Sequence, residues 1–130
     1  MAGNFRSLKA WQFADDLVIA VYEATKTFPH DERYGLIQQM RRAAISVAAN
    51  IAEGATRSSE KEYAQFLSVA RGSLAELEYH LHISRRLGYL NEAAYQRLLE
   101  LHRETARTLH GLLQAIKRRS IGVSSPALSA

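Results

Sequence analysis

Cysteine is absent from the 130 residues. With it go a disulfide framework, a thiol nucleophile and a zinc-thiolate site. Proline occurs only twice, so forced breaks in regular structure are few. No apolar run approaches the roughly 20 residues that a bilayer-spanning helix needs; the strongest, Leu17 to Tyr22, is far shorter. Met1 to Ser7 lacks the charged-then-apolar order of a signal peptide. These absences lead to the expectation of a cytoplasmic protein with no membrane partner. Period-two alternation is also missing over any useful length, so no strand is expected.

What is present is helical. Apolar residues make up 47% of the chain and charged residues 23%, enough for one domain to bury a sizeable core. Phe28-Pro29 closes a first amphipathic run, Leu8 to Thr27, because the residue before proline is pushed out of the helical region. Gly54 to Ser59 closes a second. Ser58 or Ser59 can cap a third, with Glu60 and Glu62 suited to the positive end of its dipole. Gly88-Tyr89-Leu90 ends that run, and Asn91-Glu92 opens the fourth. Tyr63, Leu67, Ala70, Leu74, Leu77 and Leu81 recur at spacings of four and three. So do Tyr95, Leu99, His102, Ala106, Leu109, Leu113 and Ile116. Short connections between such helices favour an antiparallel up-down four-helix bundle over residues 1–120. Residues 121–130, small and polar with a proline, are expected to be a flexible tail.

The second run is odd. Leu36, Ile37, Met40, Ala43, Ala44, Ile45, Val47, Ala48, Ile51 and Ala52 leave one narrow polar strip: Gln39, Arg42, Ser46, Asn50 and Glu53. A helix apolar over most of its circumference calls for cover on most sides. Leu98, Leu101 and Leu112, with Thr105 and Thr108 between them, form a comparable shoulder on the fourth run. Both features lead to the expectation of a homo-oligomer. The polar strip is either satisfied internally, with Glu76 as partner for Arg42, or forms a ligand site. The internal option is favoured because no nucleophile sits beside these residues.

Chemical motifs are lacking. There is no Gly-x-Ser-x-Gly elbow and no phosphate-cradling glycine loop. His80 and His82 point about 200° apart on a helix, so they cannot share a metal. Neither a catalytic residue, a metal site nor a cofactor is expected, and the chain is not read as an enzyme. Charge has a direction instead. Residues 1–56 carry six basic and six acidic side chains, whereas residues 57–130 carry eleven and seven, so the whole excess of four lies in the second half. Arg103, Arg107, His110, Gln114 and Arg118 stack on one helical face, with Lys117 and Arg119 beside its end. For Arg103 and Arg107, a solvated face and a phosphate-contacting face remain equally open. Lys117, Arg118 and Arg119 also suit the negative end of a helix dipole.

The block Phe28-Pro29-His30-Asp31-Glu32, Gly35-Leu36, Gln39, Arg41-Arg42-Ala43, Ser46, Asn50-Ile51-Ala52-Glu53-Gly54 and Arg57 resembles the bacterial four-helix bundle family encoded in intervening sequences of 23S ribosomal RNA genes. Leu8, Trp11, Ala14 and Val21-Tyr22 carry the likeness into the first helix. Phe66, Ala70, Gly72-Ser73, Glu76-Leu77 and Leu87-Gly88-Tyr89-Leu90 extend it through the third and its turn. The resemblance implies four-helix bundles assembled into homopentameric rings. It also implies kinship with the accessory variability determinant of diversity-generating retroelements, a basic barrel that binds nucleic acid and a reverse transcriptase. A non-enzymatic oligomeric scaffold holding RNA or DNA electrostatically through Arg103, Arg107, Lys117, Arg118 and Arg119 is the leading expectation. A protein-interaction module, with a partner docking on the ring and no nucleic acid, is the alternative.

Overall fold

The computed structural model describes residues 4–122. It contains four long helices: α1 (Lys9–Thr25), α2 (Leu36–Gly54), α3 (Glu60–Arg86) and α4 (Glu92–Ser120). Single 3-10 turns, Phe5–Ser7 and His30–Glu32, precede α1 and α2. Each helix packs on its two neighbours in a closed order, α1 on α2, α2 on α3, α3 on α4 and α4 on α1. Cross-links at both ends of the α2–α3 and α3–α4 seams fix their antiparallel sense. Ser84 meets Met40 while Gly54 lies against Phe66, and Arg85 pairs with Glu92 while Arg119 approaches Glu60. The expected up-down bundle is the observed one, and among the described residues no strand forms. Residues 123–130, most of the expected tail, lie outside the described residues.

The ends follow local chemistry. Ser59 Oγ accepts from the Glu62 amide at 3.0 Å and Asn91 Oδ1 from the Ala94 amide at 2.8 Å, satisfying amides that the helix itself leaves orphaned. Gly88 closes α3 at φ +78°, a left-handed conformation in which a side chain would be strained. The Tyr89 amide then bonds to the Ser84 carbonyl and the Gly88 amide to the Arg85 carbonyl, as in a Schellman cap. Residue 35, a glycine, offers α2 no side-chain cap, and Glu32 supplies one from outside: its Oε1 accepts from the Leu36 amide at 3.2 Å. Glu32 Oε2 accepts from the Tyr89 hydroxyl at 3.0 Å. One carboxylate thus ties the α1–α2 connection to the α3–α4 turn, where the Phe28 and Tyr89 rings pack 5.2 Å apart.

The core is aliphatic. Leu17, Val21, Met40, Val47, Ile51, Leu67, Leu77, Leu81, Leu109 and Leu113 are sealed from water, each stabilising the fold by about 1.5–3 kcal/mol. Alanines at 10, 14, 43, 44 and 70 are equally buried and let the helices approach closely. Two expectations about apolar surface are corrected here. Leu98 and Leu112 are not an exposed shoulder but core, with Leu101 half-buried. Because α4 packs on both α1 and α3, it buries two adjacent rows, and one of these contains Thr105 and Thr108. Their hydroxyls donate to the carbonyls four residues back, at 2.7 and 2.8 Å, so they enter the core without an unmet donor. Most of the apolar circumference of α2 is likewise covered within one chain, by α1 and α3 together. What stays open is a short strip with Ile45, 43% exposed, at its centre and Ala49 beside it.

Candidate functional site

Two surfaces carry the residues singled out from the sequence. The first is the outer face of α4, opposite its buried rows. Arg103, Arg107, His110, Gln114, Lys117, Arg118 and Arg119 are all exposed, as the helical spacing requires once Leu98, Leu109, Leu113 and Ile116 turn inward. The cations are not equally free. Arg107 is engaged by Glu104, with Nη2 at 2.9 Å and Nε at 3.2 Å from the same carboxylate oxygen. That bond holds the Glu104 carboxyl below its ordinary range and lifts the guanidinium further above its own. Arg119 leans toward Glu60, at 4.0 Å. Among the described residues Arg103, Lys117 and Arg118 make no ion pair. On this face these three are the cations with the least to give up on meeting a phosphate; Arg97, also on α4 and without an ion pair among the described residues, lies in the α1–α4 groove instead.

The second surface is the α2–α3 seam, where the polar strip lies. Its members separate. Glu53 pairs with Arg57 one turn on, and the Arg57 guanidinium lies over the Phe66 ring, 4.6 Å from its centroid. Asn50 bonds back to the Ser46 carbonyl at 2.8 Å and to the Ser46 hydroxyl at 3.1 Å. The Ser46 and Ser73 hydroxyls meet at 2.7 Å across the seam. Gln39, Arg42, Ser46, Ser73 and Glu76 line a cavity of about 340 Å³ between the two helices. The expected Arg42–Glu76 pair is not formed. Glu76 instead faces His80, one turn further along α3, with Nε2 to Oε2 at 3.4 Å. The i,i+4 geometry on one helix brings these two together at no cost in long-range ordering. Arg42 has no such neighbour and stays exposed.

His80 is the buried titratable group beneath this surface: its side chain is 6% exposed, against 59% for Glu76. Burial pushes its pKa below the usual 6.5, with the Glu76 carboxylate opposing. Nε2 faces the Glu76 carboxylate, and the buried Nδ1 has no hydrogen-bond partner. His102, the other core histidine, bonds to the Leu74 carbonyl. His82 is exposed and packs on Tyr79. Among the described residues no three His, Asp or Glu side chains converge as a metal site would require, and no helix is long and apolar enough to cross a membrane.

A third feature escaped sequence reasoning. Between α1 and α4 runs a groove of about 450 Å³ whose apolar lining includes Phe13, Ile19 and Leu101, with Asp16, Glu23, Glu100, Glu104 and Arg97 around it. Its residues come from helices distant in sequence, and neither helix alone shows a signal for it.

The closed antiparallel order, the capped ends and the aliphatic core define a four-helix bundle. The family profile described as 23S rRNA-intervening sequence protein matches residues 6–111, and the chain belongs to that family. A crystal structure from Bacteroides thetaiotaomicron, a protein of unknown function from the S23 ribosomal protein family, has the same fold, with a TM-score of 0.74. It is 18% identical over 81% of this chain and 95% of its own. No curated protein matches the chain.

Proposed function

We propose that this protein is a non-enzymatic scaffold that assembles with copies of itself and holds nucleic acid by charge along the outer face of α4. The observation that carries the proposal is the solvent-exposed row Arg103, Arg107, His110, Gln114 and Arg118, extended by Lys117 and Arg119, in the half of the chain that holds all the net positive charge. One such face makes few phosphate contacts. A ring of copies, pentameric by the family resemblance, would present it several times and raise affinity steeply. Ile45 and Ala49 on α2 offer the apolar surface on which copies could meet. Recognition would be of backbone charge and shape, since no aromatic platform accompanies the cations.

Binding of structured RNA and duplex DNA across a salt titration tests this. The expected result is a log–log slope of about −0.9 per phosphate contacted on a duplex, reduced by Arg103→Glu and Arg118→Glu. Reversal at Arg107 should matter less, because Glu104 already neutralises it. Affinity no better than millimolar at physiological salt, or a flat slope, overturns the proposal.

A second reading, a docking module for another protein, rests on the α1–α4 groove and its 59% exposed Ile19. Under that reading the α4 reversals leave partner binding intact, whereas Ile19→Asp abolishes it.

A further inference from the structure

The cavity between α2 and α3 carries charges of both signs that do not pair. Arg42 lines it from α2 and Glu76 from α3, yet the two make no ion pair, and Arg42 makes none with any described residue. The other lining groups are also open to engagement. The Gln39 amide has no side-chain hydrogen bond among those formed by the described residues, while Ser46 and Ser73 share a single bond at 2.7 Å. Whichever hydroxyl donates in that bond, the proton of the other is uncommitted. Asn50 also donates to the Ser46 oxygen, at 3.1 Å. Ala43 adds a small apolar patch to the lining.

Glu76 also has a buried neighbour outside the lining. The nine-tenths-buried His80 has Nε2 3.4 Å from the Glu76 carboxylate and Nδ1 without a partner. That unpartnered nitrogen belongs to the residue one turn from Glu76 on α3.

We propose that this cavity is a binding site for a small zwitterion of the α-amino-acid class, its carboxylate on Arg42 and the spare serine hydroxyl, its ammonium on Glu76, with Gln39 bonding at the rim. The lining is neutral overall and dipolar, which fits a ligand of the same description. A polyphosphate meets repulsion at Glu76, and a simple cation meets it at Arg42. The volume lies at the low end of the range of about 300–1,000 Å³ for ligand sites, so the ligand is small. The site is independent of the nucleic-acid face: α2 and α3 form it, and α4 contributes nothing to it.

The test uses the full chain, isotopically labelled, with each proteinogenic α-amino acid at about 10 mM, which saturates a site with a Kd of about 1 mM or below. At least one amino acid should shift the amide resonances of 39–46 and 73–76. Its N-acetyl derivative and its decarboxylated amine should each bind at least roughly tenfold more weakly, since each deletes one of the two charges. Arg42→Gln and Glu76→Gln, both at exposed positions, should weaken binding to a similar degree while leaving thermal unfolding and polyanion binding unchanged. Absence of any shift across the panel overturns the proposal. So does a shift that survives both substitutions, or equal binding by the singly charged derivatives.

Discussion

The imidazole of His102 on α4 donates its Nε2 hydrogen to the main-chain carbonyl oxygen of Leu74 on α3, 2.7 Å away inside the bundle. A carbonyl can only accept, so the contact fixes which ring nitrogen carries the proton. It also uses the second lone pair of an oxygen already engaged in the α3 ladder. The apolar seam of α4 thus contains one polar residue that is satisfied by backbone, and the α3–α4 register is pinned at that point. His102→Leu keeps volume but removes the bond. It should lower stability by about 0.5–1.5 kcal/mol, read as a lower urea midpoint with an unchanged slope. An unchanged midpoint would show that the bond contributes nothing net.

Glycines at two helix positions should respond in opposite directions. A Cβ on Gly54 would lie 2.9 Å from Phe66 Cβ and 3.0 Å from the Tyr63 ring, so the ends of α2 and α3 are as close as they are because residue 54 has no side chain. Gly54→Ala should cost about 1–3 kcal/mol through that crowding. Gly72 lies on the exposed side of α3, and a Cβ there meets nothing within 4 Å. Gly72→Ala should stabilise by up to about 1 kcal/mol, since alanine gives up less backbone freedom in a helix. Paired thermal melts compare the two, and equal effects would contradict the packing described.

Much of the architecture was legible because it is written locally. Ser59 and Asn91 bond to amides three residues ahead, Phe28-Pro29 marks the connection that follows α1, which ends at Thr25, and the three-four spacing from Leu67 to Leu81 places a whole helix face. Pairings between helices were less so. Leu98 and Leu112 form a second apolar row whatever covers it, and sequence cannot say whether that cover is α1 or another molecule. The Arg42–Glu76 pair was inferred from charge, yet Glu76 has a partner four residues away on its own helix, and proximity in the chain won over complementarity between helices. The basic face of α4 was visible from its period. The pairing of Arg107 with Glu104 follows the i,i+3 rule, a short-range signal set within the row of cations. Glu32 as an external cap for α2 has no simple motif, because its second oxygen is held by Tyr89, far along the chain.

Acid should weaken the fold through His80. Burial keeps its folded-state pKa below the ordinary 6.5, so the native ring is neutral where an unfolded one begins to take up a proton. Stability from this group is complete above about pH 6.5 and lost as pH falls toward the folded value, at up to about 1.4 kcal/mol per pH unit. Urea midpoints measured from pH 7.5 to pH 5 should fall more steeply for the native chain than for His80→Gln, which has no imidazole to charge. Parallel curves for the two proteins would place the acid sensitivity elsewhere.

Alkali should act at the opposite end of the bundle. Tyr63 packs beside Gly54 with its hydroxyl pushed up to about 12, chiefly by burial, further by the neighbouring Glu60 carboxylate, and against the pull of Arg119. A raised folded-state pKa means that the native chain holds its proton after an unfolded one has released it. The stability it contributes is present below pH 10 and lost as pH rises from there through about 12. Phenolate absorbance across that range should therefore include one late step among the six tyrosines, coincident with loss of helical signal. Tyr89 is also raised, first by its bond to Glu32, so the assignment needs Tyr63→Phe and Tyr89→Phe side by side. Removing Tyr63 should abolish the step near pH 12 and removing Tyr89 should leave it. Glu60→Gln should move it downward, because one of the charges opposing the phenolate is gone. Should the late step persist in Tyr63→Phe, the cavity that Tyr63 shares with Glu60 and Arg119 is wetter than its burial implies.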